Sequence, residues 1–374
     1  MNTQAYRTDA TLDHKLATLG RLLINQEAAR VVIPPMSNSS GFWFGGGNLT
    51  RDQHGNHYIV GRYRNVGDSR TGLGAGQRGL ELAVFRSHDG CASFEKVLSL
   101  DKSELGVGER SVLSIEGSAL EFADNEVRLL VSTEKSGIAY PEELQAYHKP
   151  GTGVWTIEEI TSSTIEGLRS AERRTIIESS VPEHLHTKDP FIMPADGGRR
   201  RVGFCTHPFN WSSSNTSVAT EVAPGRWDVQ FGVMPRGDAW DVAIARGTAV
   251  LDLAVTGIPS VRGVRVLFYD GGECMRPLDE HANAKTRPRG YSCEELGGLA
   301  HLERVDPFSV RRVSRFEAAF VSPFGTGCSR YVDVLVDEDA LIATWQQGQP
   351  DGSQPLVLNS VPLDTVREVL GEER

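Results

Sequence analysis

The chain has 374 residues, of which 39% are hydrophobic, and this is enough for one large domain or two ordinary ones. Its 49 acidic residues outnumber its 39 basic ones, so the net charge is −10, and neither a nucleic-acid backbone nor an anionic membrane is expected as the main partner. No run reaches the roughly 18 apolar residues of a membrane span. The N-terminal segment lacks the basic and apolar regions of a signal peptide, so we expect a cytoplasmic protein.

Residues 10–29 are predicted to form one amphipathic helix, because leucines at positions 12, 16, 19, 22 and 23 recur at helical spacing. Such a helix would pack against the outside of the body or, as the alternative, join two copies of the chain in a homo-oligomer. A short strand, RVVIPP, follows it. We therefore divide the chain into an N-terminal helical extension, residues 1–30, and a single-domain body, residues 31–374.

The body is predicted to consist of strands and turns. In its first part, strands are expected near residues 48–51, 57–63, 80–86 and 94–99. A glycine-rich loop spans residues 65–79, and turn signals such as KPGTG and APGR separate the later strands. Two insertions interrupt this pattern. Residues 163–179 are expected to form a helix, and residues 276–291 are expected to form a long polar loop.

A faint repeat organises these strands. Five similar strands recur about every 65 to 75 residues, at 57–64, 127–134, 200–207, 264–272 and 340–347. Each is preceded by a shorter strand, at 47–50, 116–122, 189–193, 246–253 and 330–336. Strands of this size at this spacing suit a closed radial array of four-stranded sheets. The sequence therefore predicts an all-β fold, a five-bladed β-propeller with an N-terminal helix.

The repeat places a different polar residue at the same strand position in each copy. Because the first strand of a propeller blade runs along the central axis, these residues are expected to ring the mouth of the channel. The inner ring comprises Asn48, Glu116, Asp189, Arg246 and Arg330. A second tier, from the ends of the second strands, comprises Arg62, Arg64, Glu134, His207, Asp270, Glu273 and Gln347. Carboxylates among arginines are the chemistry of glycosidic bond cleavage, in which one carboxyl group is protonated and the other is ionised.

Three segments resemble propeller glycosidases. HTKDPFIMPADGGRRRVGF (186–204) and IEGSALEFADNEVRLLVS (115–132) are similar to elements of five-bladed propeller enzymes such as arabinofuranosidases, xylosidases, invertase-type enzymes and mannoside phosphorylases. SHDGCASF (87–94) is similar to the Asp-box of sialidases, with Cys91 in place of its glycine. The resemblance implies a propeller that acts on carbohydrate.

The resemblance also implies catalytic roles. Asp189 and Glu116 would be the acid/base pair, with Glu273 as a reserve general acid. Substrate contacts are expected from Asn48, Arg62, Arg64, His207, Arg246, Asp270, Arg330 and Tyr331. Trp43, Phe44 and Trp240 would either form an aromatic floor for a sugar ring or, as the alternative, pack in the core, whereas Glu294 and Glu295 are expected on a solvated loop. Asn48 departs from the pattern, because many relatives have an aspartate base there.

Cysteine usage and spacing predict no cofactor. The five cysteines are widely spread and contain no CxxC pair, which indicates reduced thiols rather than disulfides or a zinc site. We do not expect a bridge between Cys274 and Cys293. A structural divalent cation in the central channel remains an alternative, although no ligand-spaced cluster predicts it.

These observations favour an exo-acting glycoside hydrolase for short oligosaccharides, with a two-carboxylate mechanism and inversion. Arginines at the mouth point to an anionic sugar such as a uronic or ulosonic acid. Three alternatives remain. In a phosphorylase, Arg246, Arg330 and His207 would hold phosphate. In a polysaccharide lyase, His207 or Tyr331 would remove a proton. The propeller could also be a non-catalytic module that binds carbohydrate or protein.

Overall fold

A computed structural model describes residues 10–65, 79–273, 295–304 and 306–371 of the chain. The predictions for the Cys274–Cys293 pair, for Glu294, for the loop at 276–291 and for most of the glycine-rich loop lie outside these residues. None of the helices in the described residues has the length and apolar character needed to cross a membrane.

The described strands form five blades. Helix α1 (Ala10–Leu23) and strand β1 (Arg30–Ile33) come first. Blade I contains β2 (Trp43–Gly45), β3 (Leu49–Arg51), β4 (His57–Arg64), β5 (Glu81–Ser87) and β6 (Glu95–Asp101). Blade II contains β7 (Val112–Ala123), β8 (Glu126–Lys135), β9 (Val154–Ser162) and β10 (Arg173–Ile177). Blade III contains β11 (His186–Asp196), β12 (Arg199–His207), β13 (Ser214–Ala223) and β14 (Arg226–Met234).

Blade IV contains β15 (Ile244–Asp252), β16 (Val264–Gly272), β17 (Leu296–Glu303) and β18 (Asp306–Arg312). Blade V contains β19 (Ser329–Val336), β20 (Ala340–Gln347) and β21 (Leu356–Pro362), and helix α2 (Leu363–Leu370) follows. Short 3-10 helices lie at Lys102–Leu105, Glu142–Tyr147, Glu166–Arg169, Pro182–His184, Leu253–Thr256 and Pro259–Val261.

The blades are antiparallel sheets whose strands are consecutive in sequence, and blade V alone is completed from the other end of the chain. Strand β1 pairs with β21, with Arg30 opposite Leu358. In blade I the inner position is shared by β2 and β3, which both pair with β4. A short parallel contact between β13 and β15 joins blades III and IV. The pairing of β1 therefore closes the ring and leaves its edges short.

The repeat found in the sequence is confirmed. Each of the five predicted strand pairs lies on the first two strands of one blade; residues 116–122 fall within β7, and residues 264–272 coincide with β16. The strands expected in the first copy lie within about two residues of β3, β4, β5 and β6.

Two predictions of helix are corrected. Residues 163–179 contain only the 3-10 turn Glu166–Arg169 and the strand β10, which pairs with the free edge of β9; the β-branched run TII favours this extended conformation. Helix α1 ends at Leu23 rather than continuing to residue 29. The Asn25 side chain accepts hydrogen bonds from the backbone N–H groups of Glu27 and Ala28, and this turn competes with the helix.

Helix α1 packs on the outside of the ring together with α2, which the sequence reasoning missed. Leu16, Leu19 and Leu23 are buried in one apolar cluster that also contains Trp345 of β20 and Val366 of α2. Lys15 donates from Nζ to the backbone oxygen of Leu370 at 3.2 Å. The apolar face of α1 is therefore used within the chain, which is the first of its two predicted roles; a homo-oligomer through α1 stays a prediction.

The segment similar to an Asp-box forms a compact turn between the third and fourth strands of blade I. Ser87 Oγ donates to Asp89 Oδ1 at 2.7 Å, and the backbone N–H of Ser93 donates to the same oxygen at 2.9 Å. Cys91, which replaces the glycine of the motif, has φ of 67°, a left-handed conformation that favours glycine. The hydrogen bonds of Asp89 and Ser87 hold the cysteine in this conformation.

We expect Leu16→Ala to lower the free energy of unfolding by about 2–5 kcal/mol, because it leaves a cavity in the cluster beneath α1. Leu12→Ala is the matched control: Leu12 packs only at the edge of the same cluster, so its loss should be smaller. Urea unfolding followed by tryptophan fluorescence measures both. Equal losses in the two variants would show that α1 does not depend on this buried face.

Candidate functional site

The inner strands change register where the candidate site residues lie. The pairing of β7 with β8 shifts between Ile115 and Ser118, and that of β11 with β12 shifts between Lys188 and Phe191. Strand β15 shifts after Gly247, and β19 shifts after Arg330. A β-bulge bends its strand and re-aims a side chain. Four blades therefore present their inner-ring residue from an irregular backbone at one end of the channel.

Glu116 is held by two cations. Arg62 of β4 donates to Glu116 Oε2 from Nε at 2.8 Å and also from Nη2. The ammonium group of Lys188 lies 3.9 Å from the other carboxylate oxygen. All three side chains are buried, so this carboxylate bridges blades I, II and III.

Asp189 lies next to Glu116 in space. The backbone N–H of Gly117 donates to Asp189 Oδ1 at 2.9 Å. Tyr331 Oη donates to Oδ2 at 3.5 Å, and Arg246 Nη1 lies 3.6 Å from the same oxygen. Glycine is required at 117, because a Cβ there would lie 2.5 Å from Asp189 Oδ1. The two carboxylates predicted to form an acid/base pair are thus brought together by adjacent inner strands.

Arg246 joins Asp189 to a second pair of carboxyl groups. Its Nη2 atom lies 3.3 Å from Asp270 Oδ2 and 2.7 Å from Glu295 Oε2. Arg330 Nη1 also donates to Glu295 Oε2. Asp270 additionally accepts a hydrogen bond at 3.0 Å from the backbone N–H of Tyr331.

The pKa values of Asp270 and Glu295 are shifted in opposite directions. Burial raises the pKa of Asp270 to about 7, against the opposing effect of Arg246. Burial also acts on Glu295, but Arg246 and Arg330 outweigh it and lower the pKa of that carboxyl group to about 2. Near neutral pH the site therefore contains one carboxyl group that can carry a proton beside one that stays ionised.

A depression at this end of the channel is lined by residues of all five blades, among them Asn48, Asp189, Arg246, Asp270 and Tyr331. Its empty space totals about 370 Å³, including space open to solvent, and the volume that the centre of a water-sized molecule can occupy is about 20 Å³. That is room for about one water molecule.

Several predicted substrate contacts are placed differently. Asn48 Oδ1 accepts from the backbone N–H of Leu120 at 2.7 Å, and its Nδ2 donates to the Leu120 carbonyl at 3.0 Å. This amide links blades I and II, so we assign Asn48 a structural role. Glu273 is half-buried and makes no hydrogen bond or ion pair with another residue of the described ranges. Its role as a reserve acid stays a prediction.

Two second-tier residues serve the framework instead of the mouth. Glu134 Oε1 accepts from the backbone N–H of Gly153 at 2.9 Å, and Gln347 donates to Gln26 at 2.9 Å.

His207 Nδ1 lies 3.1 Å from the Ser213 carbonyl. Burial, reinforced by Lys188 and Arg246, lowers the pKa of His207 well below its usual range. A neutral histidine there cannot supply the cation that a phosphate ligand needs.

The aromatic residues divide into core and mouth. Phe44 and Trp240 are buried in apolar clusters, so they take the core-packing alternative and do not form a floor for a sugar ring. Trp43 is half-buried, and its ring contacts the guanidinium carbons of Arg64 at 4.3 Å and Arg330 at 4.1 Å. These are cation–π distances, and the contacts orient both guanidinium groups against the Trp43 ring.

The sequence reasoning missed Lys188 and Cys205 and misplaced Glu295. Cys205 Sγ donates to Asp189 Oδ2 at 3.4 Å. Glu295 is largely buried between two arginines, so its expected position on a solvated loop is wrong. The sequence does contain signals for two of these residues: Lys188 directly precedes Asp189, and Glu295 directly precedes the glycine-rich start of β17.

The described residues contain no group of three or more His, Cys, Asp or Glu side chains placed to hold a metal ion. A cation in the central channel would therefore need ligands of another kind, and it stays an alternative.

Known structures that resemble this fold are β-propeller glycosidases. A thermostable family-43 glycoside hydrolase has a TM-score of 0.55 and 13% identity, covering 88% of this chain and 92% of its own. A GH43 enzyme from Xanthomonas citri complexed with xylotriose has a TM-score of 0.54 and 10% identity, covering 93% and 92%. An α-L-arabinofuranosidase from Lactobacillus brevis has a TM-score of 0.53 and 12% identity, covering 88% and 92%. At such low identity these likenesses show the fold alone, and they confirm the predicted propeller.

Scans against protein-family models and against curated proteins found no match.

Asn48→Asp would restore the acid that the resemblance places at this position, yet we expect it to destabilise the fold. One carboxylate oxygen would face the Leu120 carbonyl, which the Asn48 amide now satisfies, at a cost of about 1–3 kcal/mol. Urea unfolding at pH 7 measures the loss. Asn210→Asp is the control, because the exposed Asn210 only accepts a bond, from Ser212. A variant at 48 as stable as the wild type would contradict the structural role.

Proposed function

We propose that this chain is a glycoside hydrolase that removes sugars from the ends of short oligosaccharides. The observation that carries the proposal is the buried contact of one guanidinium, Arg246, with three carboxyl groups of different character. Glycoside hydrolysis needs a protonated carboxyl group to assist the leaving oxygen and an ionised one to activate water or attack the sugar. The likeness of the fold to glycosidases supports the same reaction.

We assign the proton donor and the carboxylate that activates water among the residues that line the depression. Asp189 and Asp270 both line it. Asp189 accepts bonds from a backbone N–H and from Tyr331, which suits the carboxylate that activates water. Asp270, whose pKa burial raises to about 7, suits the proton donor. Glu116 lies between Arg62 and Lys188, so we assign it to the ionised side of the site, where it fixes Arg62 and can accept sugar hydroxyl groups.

A phosphorylase on the same residues is the second candidate. Asn48 is bound to the backbone of Leu120 and supplies no acid from blade I, and a phosphorylase needs only one carboxylic acid. Since His207 is neutral, phosphate would have to be held by arginines alone. A lyase that uses Tyr331 as its base is less favoured, because burial and the nearby Asp189 raise the pKa of Tyr331 well above its usual range and its hydroxyl group stays protonated.

The proposal includes the cellular compartment in which the protein acts. Among the described residues, Cys91 and Cys205 are buried and form no disulfide, which agrees with a reducing compartment. We therefore propose that the enzyme acts on oligosaccharides in the cytoplasm.

The first test is a panel of aryl glycosides and short oligosaccharides, with and without phosphate, with products read by mass. The wild type should give a product heavier by one water, and Asp189→Asn and Asp270→Asn should each lower kcat/KM by about 100-fold or more. Glu221→Gln, which removes a surface carboxylate paired with Arg200, is the control and should keep full activity. A sugar phosphate would select the phosphorylase, and full activity in both site variants would contradict the assigned roles.

The pH profile provides an independent test. Since the folded pKa of Asp270 is raised to about 7, its protonated form is present below that pH and is lost as the pH rises through it. We expect kcat/KM to fall above about pH 7 with a slope of one proton, and Asp270→Asn to remove that limb. A wild-type profile that stays flat from pH 5 to pH 9 would exclude Asp270 as the donor.

A further inference from the structure

We propose that the mouth of the propeller recognises a sugar that bears a carboxylate, through the guanidinium groups of Arg62, Arg246 and Arg330. This inference names the substrate class of the proposed hydrolase and rests on that function. It goes beyond xylotriose and xylose, the neutral sugars named for two of the similar structures.

Three arginines from three blades converge on one tyrosine. The guanidinium carbons of Arg246 and Arg330 lie 5.6 Å and 5.3 Å from the centre of the Tyr331 ring. Arg62 approaches the same ring from blade I. A Cβ on Gly46 would lie 3.7 Å from Tyr331 Cζ and 3.9 Å from Arg62 Cζ. Guanidinium groups repel one another, so such a cluster is stable only with anions between them.

Two donors of this cluster are buried without a partner in the described part of the chain, Nη1 of Arg62 and Nε of Arg246. Arg62 is 1% exposed and Arg246 is 4% exposed, so water does not compensate either donor freely. An unsatisfied buried donor is costly and uncommon, and more so on a charged group. Arg246 lines the depression, and Arg62 lies beside Gly46, which also lines it; a bound oxyanion is the acceptor that we propose for these donors.

The neighbouring carboxylates do not balance the cations at every pH. Four cations, Arg62, Lys188, Arg246 and Arg330, face four carboxyl groups, Glu116, Asp189, Asp270 and Glu295. When Asp270 carries a proton, four positive charges face three negative ones, and the site has an excess of one positive charge. The carboxylate of one acidic sugar would restore the balance in the same state that we propose for catalysis.

The site already shows that its arginines can share a carboxylate. Glu295 Oε2 accepts from Arg246 Nη2 at 2.7 Å and from Arg330 Nη1. The Arg330 guanidinium is further fixed against the Trp43 ring. Planar, pre-oriented guanidinium groups recognise carboxylates better than mobile ammonium groups do. Arg246 lines the depression at this end of the channel, which has room for about one water-sized group, so one carboxylate oxygen fits beside it.

The test compares acids with their neutral isosteres on the wild-type protein. Calorimetry at pH 6 would measure binding of the methyl glycosides of glucuronic, galacturonic and N-acetylneuraminic acids, each beside its methyl ester. We expect at least one acid to bind about tenfold or more tightly than its ester. Inorganic phosphate should compete with that acid. If no acid is preferred over its ester, or no acid binds, the inference is overturned.

A conservative substitution tests whether Arg62 takes part in recognising the sugar carboxylate. Arg62→Lys keeps the charge but loses the planar fork, and it should reduce the preference for the acid at least severalfold. Arg86→Lys, on β5 and paired with the exposed Glu95, is the control and should keep the preference. An unchanged preference in Arg62→Lys would overturn the assignment. Should that variant fail to fold, the comparison of acid with ester on the wild type still decides.

The inference and the proposed function can fail separately. Hydrolysis of neutral glycosides with no preference for acids would overturn the inference and leave the hydrolase standing. Tight, ester-sensitive binding of an acid that is never cleaved would support the recognition of a carboxylate and remove the hydrolase.

Discussion

The buried guanidinium of Arg246 is the group on which the rest of the site depends. Placing a charge in a propeller channel costs several kcal/mol of lost hydration, and only nearby carboxylates offset that cost. Asp189 from blade III and Asp270 and Glu295 from blade IV supply them. Because these carboxyl groups share one cation, they cannot all be stabilised equally. The fully buried Asp270 tends toward its protonated form, whereas Glu295, with a second arginine, stays ionised.

Irregular backbone in the inner strands brings these charged side chains together. Asp189 and Tyr331 have φ of 52° and 51°, a left-handed conformation that non-glycine residues seldom adopt. Both lie where an inner strand changes its register with the second strand of its blade. A regular strand would alternate its side chains between the two faces of its blade. The bulges instead bring residues of four blades to the axis, and the close packing of Gly117 on Asp189 holds two of them together. Such strain persists at functional sites when the surrounding structure over-determines it.

The asymmetry of the ring is what turns a repeated scaffold into a site. Each blade has the same four-strand framework, yet the inner residues differ in charge: an amide that binds backbone in blade I, carboxylates in blades II and III, and arginines in blades IV and V. Asp189 on β11 and Arg246 on β15 lie on adjacent inner strands and attract one another, so the site also helps to join blades III and IV. Contacts that form the site therefore also help to close the ring of blades.

The sequence by itself determined the fold and much of the ring. Alternating apolar residues and a repeat length typical of blades are local signals, so strands such as β7 and β16, and the places of Glu116, Asp189, Arg246 and Arg330, could be predicted. The sequence did not determine which side chains meet. Glu295 reaches Arg246 through the pairing of β16 with β17, Asn48 is bound to a neighbouring blade, and Arg173–Ile177 form a strand because β9 offers a free edge. Only the tertiary structure decided these contacts, because each depends on a partner distant in sequence whose position is set by the closing of the ring.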